Sequence, residues 1–259
     1  MWKKILLCLV FLASLFLAIQ VQSAQMDKSV VMISSDDGDW TLYAHVYPIL
    51  RKYGLPFTAY VITSRVGTAG YTTWPQIWEM HWNGEEIGNH SDKHLDYTGK
   101  NYTTIYNDIN NAKIKFVNQG LINVTSFAYP FGVKNSNAVK ALKALGLTSG
   151  RGAWDENDQF NYPATFDQWW IESLSFRNFT KTGSFTQLKP YIDEAVATNA
   201  GLSIVLHLVY PGAVGAYELD SAELEKTAAY LSQLEAAGLI EVVTVTRGVT
   251  KQLHYKILP

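Results

Sequence analysis

From residue 29 onward the chain alternates between two rhythms of apolar positions. Short, nearly unbroken apolar runs read as buried strands. The first stretch, Ser29 to Trp40, opens with Val30, Val31, Met32 and Ile33 in a row, and further strand candidates lie at Phe57–Ile62, Glu85–His90, Thr125–Pro130, Leu147–Gly152, Trp169–Phe176, Leu202–Val209 and Ile240–Thr246. Between them lie stretches read as helices, at Thr41–Tyr53, Trp74–Asn83, Thr103–Asn118, Ser136–Ala144, Thr186–Ala197 and Ser221–Ala237. Their punctuation agrees: Gly54 and Pro56 close the first, Pro75 sits in the first turn of the second with Gly84 at its end, and Gly120 follows the third. Strands alternating with helices predict a parallel α/β architecture. There is no linker, repeat or low-complexity stretch, so about seven or eight βα units predict one barrel-like domain rather than an open sheet.

The first 24 residues stand outside this pattern. Lys3 and Lys4 precede an apolar run, Ile5 to Ile19, interrupted only by Ser14, and Gln20 to Ala24 is a short polar end with small residues. This reads as a secretory signal peptide over 1–24, too short for a comfortable membrane span, with the folded domain over 25–259. The expected location is extracellular or periplasmic, with no stable membrane span after cleavage. Cys8 is the only cysteine, so the mature chain has none and its fold rests on a core rather than on disulfides. Without Lys3 and Lys4 the chain has 19 basic against 23 acidic side chains, a net charge of −4, and no run of like charge. Nucleic acid is therefore not an expected partner.

Chemistry-bearing residues collect where the strands end. The first strand stops on Asp36, Asp37 and Gly38, and the mouth at the strand carboxyl ends is where parallel α/β folds place ligands. Neighbouring strand residues point to opposite faces, so both acids reach one site only where the strand twists into a turn. Taken alone the pair also suits a solvated turn. His90 and His94 stand four apart, which in a helix or helical turn puts both imidazoles on one side, in reach of one divalent ion. Phe127 to Gly132, FAYPFG, is another strand end breaking at proline, and Ser203 to Val209 is an apolar strand carrying His207 at its carboxyl end. One carboxylate and two histidines leave coordination positions open for water and substrate.

This set of motifs, in this order and with this rough spacing, resembles the NodB-type polysaccharide deacetylases, carbohydrate esterase family 4, over essentially the whole mature chain. The resemblance implies a distorted (β/α)7 barrel and metal-dependent removal of acetyl groups from sugars. It implies that Asp37, His90 and His94 hold a divalent metal, usually Zn2+ and sometimes Co2+. Asp36 would be the general base, His207 the general acid, and the backbone N–H of Phe131 an oxyanion donor. Leu206 would line the pocket for the acetyl methyl, with Tyr129 as a further substrate contact. Trp40, beside the Asp-Asp-Gly turn, is the better tryptophan candidate for a sugar groove. In the family the third motif begins with an arginine that pairs with the base; here that position is Ala128, and Arg151 is the expected substitute because a guanidinium holds a carboxylate well. Asp155 is the candidate partner of His207.

Of the remaining tryptophans, Trp74 and Trp154 are groove candidates, whereas Trp78 and Trp82, four apart, are expected as a helix stripe packed on the barrel. The loops at 67–73 and 157–168 are expected to set specificity. The expected substrate is a polysaccharide or oligosaccharide containing N-acetylglucosamine: chitin oligomers, peptidoglycan or, from the forms of Thr73–Met80 and the third motif, poly-N-acetylglucosamine. An acetyl xylan esterase would use the same residues on an ester, and a catalytically weak carbohydrate-binding member is the reading that the missing arginine favours.

Overall fold

A computed structural model describes residues 28–153, 159–175, 183–215 and 217–257. Residues 1–24, expected to be a leader, and Trp154 and Asp155 lie outside the described residues. In chain order, β1 (Ser29–Ser35) leads through a wide helical turn at Leu42–Val46 into α1 (Tyr47–Lys52), followed by β2 (Thr58–Val61), α2 (Trp74–Trp82), β3 (Glu86–Asn89) and α3 (Tyr102–Asn118). Next come β4 (Ser126–Ala128), α4 (Ser136–Ala144), β5 (Ser149–Arg151), β6 (Phe160–Asn161), β7 (Leu174–Ser175), α5 (Phe185–Thr198), β8 (Gly201–Leu206), β9 (Leu208–Tyr210), β10 (Glu218–Asp220), α6 (Ser221–Ala236), β11 (Ile240–Val243) and α7 (Val245–Ile257).

The expected barrel is present, with distortions. Strands β5, β4, β3, β2, β1 and β8 lie side by side in that order, every neighbour parallel. Ile171 pairs in parallel with Arg151 of β5, and three residues later β7 pairs in parallel with Ile204 and Val205 of β8. The segment from Ile171 to Ser175 thus joins the two edges and closes a ring of seven strands. β11 shares the β2 side of β1, pairing with its amino-terminal half while β2 takes the last two residues. β6 is antiparallel to β8.

Alternation along the strands sorts side chains into two layers. Val31 and Ile33 of β1 and Leu202, Ile204 and Leu206 of β8 face outward into the core shared with the helices. Val30 and Met32, with Tyr60, Ala128 and Ile171, fill the inside of the ring. Each of these fully buried aliphatic chains contributes about 1.5–3 kcal/mol by leaving water. Val245 and Val249 of α7 enter the inner cluster, and Gly248 lies so close to Met32 that an added Cβ would stand 2.4 Å from its sulfur. The C-terminal helix, where the sequence pattern carries β11 on to Thr246, therefore plugs the amino-terminal end of the ring. The opposite end is left for chemistry.

Helix starts are set by side chains as the sequence requires: Asn101, Asn135, Ser184 and Asp220 each accept a first-turn backbone N–H, and Thr73 with Gln76 forms a capping box. In the first helix Tyr47 N–H reaches Leu42 O, one residue further back than an α-helix bond, just before Pro48, which has no N–H to give. The run expected as one strand over Leu202–Val209 breaks at His207, where β9 peels away to pair with β10.

Candidate active site

The turn after β1 builds the centre. Asp36 N–H donates to Leu206 O at 2.9 Å, so the β1–β8 ladder runs one residue past the strand and fixes Asp36 above the ring interior. Asp37 (φ 71°) and Gly38 (φ 72°) then both adopt the left-handed conformation, which Asp tolerates better than most residues and Gly freely. That reversal brings the second carboxylate round to the mouth. Gly38 O accepts from Thr72 N–H and Thr72 Oγ1–H at 3.0 and 2.8 Å, tying the turn to the loop that follows β2.

Arg151, fully buried at the end of β5, places Nη2 at 2.6 Å from both Asp36 oxygens and donates from Nη1 to Gly152 O at 2.6 Å. Its guanidinium lies over the Tyr60 ring, 5.0 Å from the centroid. Ala128 and Arg151 are register partners on β4 and β5. The arginine therefore sits one strand to the side of the expected position, and the small Ala128 side chain leaves it room. Burial pushes the Asp36 carboxyl up, but Arg151, with His90 and His207, outweighs it and holds the group below its ordinary value.

His90 and His94 converge on Asp37 by a route that differs from the expected helical turn. The chain after β3 is an irregular loop in which Ser91 (φ 66°) and His94 (φ 54°) are left-handed. Ser91 N–H donates to Asn89 Oδ1 and His94 N–H to Ser91 Oγ, both at 2.8 Å, while Asp108 Oδ1 of α3 accepts Lys93 N–H. These bonds shape the loop so that both Nε2 atoms stand 3.6 Å from Asp37 Oδ1. His90 Nδ1 lies 2.9 Å from Ala128 O, which fixes Nδ1–H as donor and leaves the Nε2 lone pair facing Asp37. Burial pushes His90 down to about 3 and, with the charge of Arg65, lowers His94. Both imidazoles are thus held in the neutral form that binds metals. Burial raises Asp37 to about 6, partly opposed by His207 and reinforced by Asp36.

The three donors lie within 4.8 Å of one another. Two neutral nitrogens and one carboxylate oxygen form a zinc-type donor set, and bonds of ~2.1 Å in a tetrahedron would space donors ~3.4 Å apart. The residues present fit a divalent ion.

These groups open into a cavity of 420 Å³ that also includes His207, Tyr129 and Phe131. His207 Nε2 is 4.0 Å from Asp36 Oδ2, and its ring meets the Tyr217 ring edge-on at 5.6 Å. Phe131 (φ 56°) in the turn after β4 packs its ring 4.6 Å from that of His94. Tyr129 is held by its hydroxyl donating to Trp169 O at 2.9 Å. Two expected contacts are elsewhere. Leu206 faces the outer core with Leu202 and Ile204, and Leu208 lines the cavity instead; next to an inward His207, strand alternation sends Leu206 outward. Trp40 stands on the surface, edge-on to His45, because Trp40 N–H is bonded to Gly70 O and the chain has already turned from the mouth. Nor is Trp82 packed on the barrel, being 78% exposed. Leu208 and Tyr217, not among the expected site residues, enter from the break after β8 and from the loop after β9 respectively, neither of which carries a periodic signal.

The family model for polysaccharide deacetylases matches residues 23–150. The chain belongs to that family. The match to the polysaccharide deacetylase model includes Asp36, Asp37, His90, His94 and Phe131 and ends just before Arg151. A putative polysaccharide deacetylase, YxkH, of Bacillus subtilis is 30% identical over 129 residues, 50% of this chain and 46% of that protein. The poly-beta-1,6-N-acetyl-D-glucosamine N-deacetylase of Staphylococcus aureus is 27% identical over 143 residues, 50% of this chain and 49% of that protein. The chain spans about half the length of the curated relatives it matches. Among solved structures, a family 4 acetyl xylan esterase from Clostridium thermocellum in complex with a cobalt ion superposes with a TM-score of 0.60 over 89% of this chain and 93% of that one, at 20% identity, a likeness of fold.

Proposed function

We propose that this protein is a metal-dependent deacetylase that hydrolyses the N-acetyl groups of N-acetylglucosamine-containing glycans. The observation that carries the proposal is the single cavity in which a neutral-histidine and carboxylate donor set, an arginine-held carboxylate and a further histidine meet. The naming of the Staphylococcus relative for an N-acetylglucosamine polymer supports the choice of glycan. Export by the leader at 1–24 is part of the proposal and rests on the sequence pattern alone.

Asp37, His90 and His94 would hold the ion. When bound, a divalent ion supplies a polarised carbonyl and a water ionised near neutral pH. Asp36 is the base. Arg151 keeps it deprotonated and aimed, and its free lone pair takes the proton as water attacks the acetyl carbon. The amide of Phe131, on the cavity wall, is the backbone donor to the developing oxyanion, a type of contact worth roughly 3 kcal/mol. His207, 4.0 Å from Asp36 on its other side, gives a proton to the nitrogen as the C–N bond breaks. The products are acetate and a free amine. Positioned proton transfer of this kind contributes roughly 100- to 10,000-fold.

The test is acetate release from N-acetylglucosamine oligomers and from acetylated xylan, before and after chelation and after return of zinc or cobalt. Metal-restored release from the oligomers is the expected result. Release from xylan alone moves the substrate to esters, and release from neither with metal bound leaves a narrower substrate or a carbohydrate-binding protein.

A further inference from the structure

We propose that Asp39 and Thr41 are positioning residues that hold His207 in place for proton transfer. The inference rests on the reading of His207 as the proton donor and adds to it two residues that reach no part of the cavity.

His207 sits at a break in the sheet, so the regular ladder holds it only on one side. On that side Leu206 O accepts Asp36 N–H. On the other, Val209 N–H leaves the strand system and donates to Thr41 Oγ1 at 3.0 Å. Both ties run to the same turn, the one that carries Asp36 and Asp37. Leu208 N–H is also held, by Tyr217 O at 3.2 Å.

A threonine hydroxyl has one proton, and here it is committed. Thr41 Oγ1–H donates to Asp39 Oδ1 at 2.5 Å, and the same oxygen accepts Thr41 N–H at 2.7 Å. Asp39 thereby locks the hydroxyl rotor with a lone pair facing Val209. Thr41 is fully buried and Asp39 nearly so, which removes competing water. Asp39, Thr41 and Val209 form a clasp whose other strap is the Asp36–Leu206 bond, and His207 lies between the two. Base and acid are thereby tied to one turn.

The clasp predicts a dependence on leaving group that stability alone would not produce. An acetylated amine cannot leave without a proton, whereas an aryl acetate releases a phenolate that needs little help. In the zinc-loaded full chain, Thr41→Val should lower kcat on N-acetylglucosamine oligomers about tenfold or more while changing aryl acetate hydrolysis and the oligomer KM by less than about threefold. Thr41→Ser, which keeps the hydroxyl, should restore most of the loss, and Asp39→Ala should behave like Thr41→Val. On the oligomer, Thr41→Val combined with His207→Ala should be no slower than His207→Ala alone.

Equal losses on both substrates, or multiplicative losses in the double variant, would overturn the clasp. A second reading does not use turnover: the ring resonances of His207, identified by their loss in His207→Ala, should shift or broaden in Thr41→Val and recover in Thr41→Ser. Unmoved resonances overturn the proposal whatever the kinetics. If His207→Ala slows aryl and amide substrates alike, the reading of His207 as acid fails, while the resonances still decide whether Thr41 positions it.

Discussion

The buried pair of Arg151 and Asp36 makes a quantitative demand on stability. Arg151→Met keeps much of the side-chain volume and the contact with Tyr60 but removes the only guanidinium within hydrogen-bond distance of Asp36 among the described residues. Both side chains are out of water, so each single change strands the other charge. Removing one partner of a buried pair costs about 3–5 kcal/mol. Asp36→Asn strands Arg151 in the same way, although Gly152 O still accepts from Nη1 and lightens that loss. The double variant Asp36→Asn/Arg151→Met buries no unpaired charge, so it should fall short of the sum of the singles by about 2–3 kcal/mol. The measurement is urea unfolding followed by tryptophan fluorescence for the four proteins, with linear extrapolation and a check that the slopes agree. Additive losses would falsify the claim that this arginine neutralises Asp36 across the ring. A loss below about 1 kcal/mol for Arg151→Met would mean that water reaches the carboxylate, as for a surface pair.

Three further outcomes follow from the geometry. His94→Ala removes one of three donors, and zinc affinity measured by competition with a chromogenic chelator should drop more than about 100-fold, beyond the 10- to 100-fold usual for groups that merely orient a ligand. Gly150→Ala puts a Cβ 2.4 Å from the Tyr129 hydroxyl oxygen and 2.7 Å from the ring carbon that bears it, on a buried side chain tied by that hydroxyl to Trp169 O. It should lose about 1–3 kcal/mol in thermal or urea unfolding, and wild-type stability would show that Tyr129 swings aside. Glu85 is raised by burial from 4.5 to about 7, with Phe57 N–H and Arg51 opposing. Its folded form therefore holds a proton that the unfolded chain has lost between those values, and wild-type stability from this group is complete below pH 4.5 and declines as pH rises to about 7. Glu85→Gln does not titrate and still offers a carbonyl to Phe57 N–H. Its stability relative to wild type should climb across that window by roughly 1–2 kcal/mol, after discounting for partial solvent access; a pH-independent difference would refute the assignment.

Much of the site was legible because its residues sit at strand ends, where a run of apolar residues breaks on a polar one. Asp36, Asp37 and His207 carry that signature, whereas His90 ends a short, mostly polar strand and stood out by its spacing from His94. Arg151 was legible from its place near the end of the next strand candidate, Leu147–Gly152. What failed were inferences that needed backbone conformation. The spacing of His90 and His94 suggested a helical turn, but two left-handed residues and a side-chain bond from Ser91 do the work, and no spacing rule encodes them. Leu206 could have been placed correctly by parity, since it alternates with an inward histidine. Leu208 could not, because it enters the cavity only through the break at His207. Trp40 followed the motif by two residues and was assumed to share its direction, yet the turn had already carried it to the surface. The seven-strand closure falls within the strand candidate at Trp169–Phe176, although its pairing is confined to Ile171 and the two-residue β7.

The side-by-side placement of Ala128 and Arg151 has a bearing on how such chains are sorted. Positions in register on adjacent inner strands see the same interior point, so the positive charge can be lodged on either strand provided the other holds a small residue. A scan that inspects one stretch at a time scores Ala128 as a lost residue and files the chain with inert homologues. A scan of the ring in three dimensions finds the charge intact. Exchanging the two residues, with alanine on β5 and arginine on β4, would rebuild the arrangement that the linear motif describes without altering the charge inside the ring.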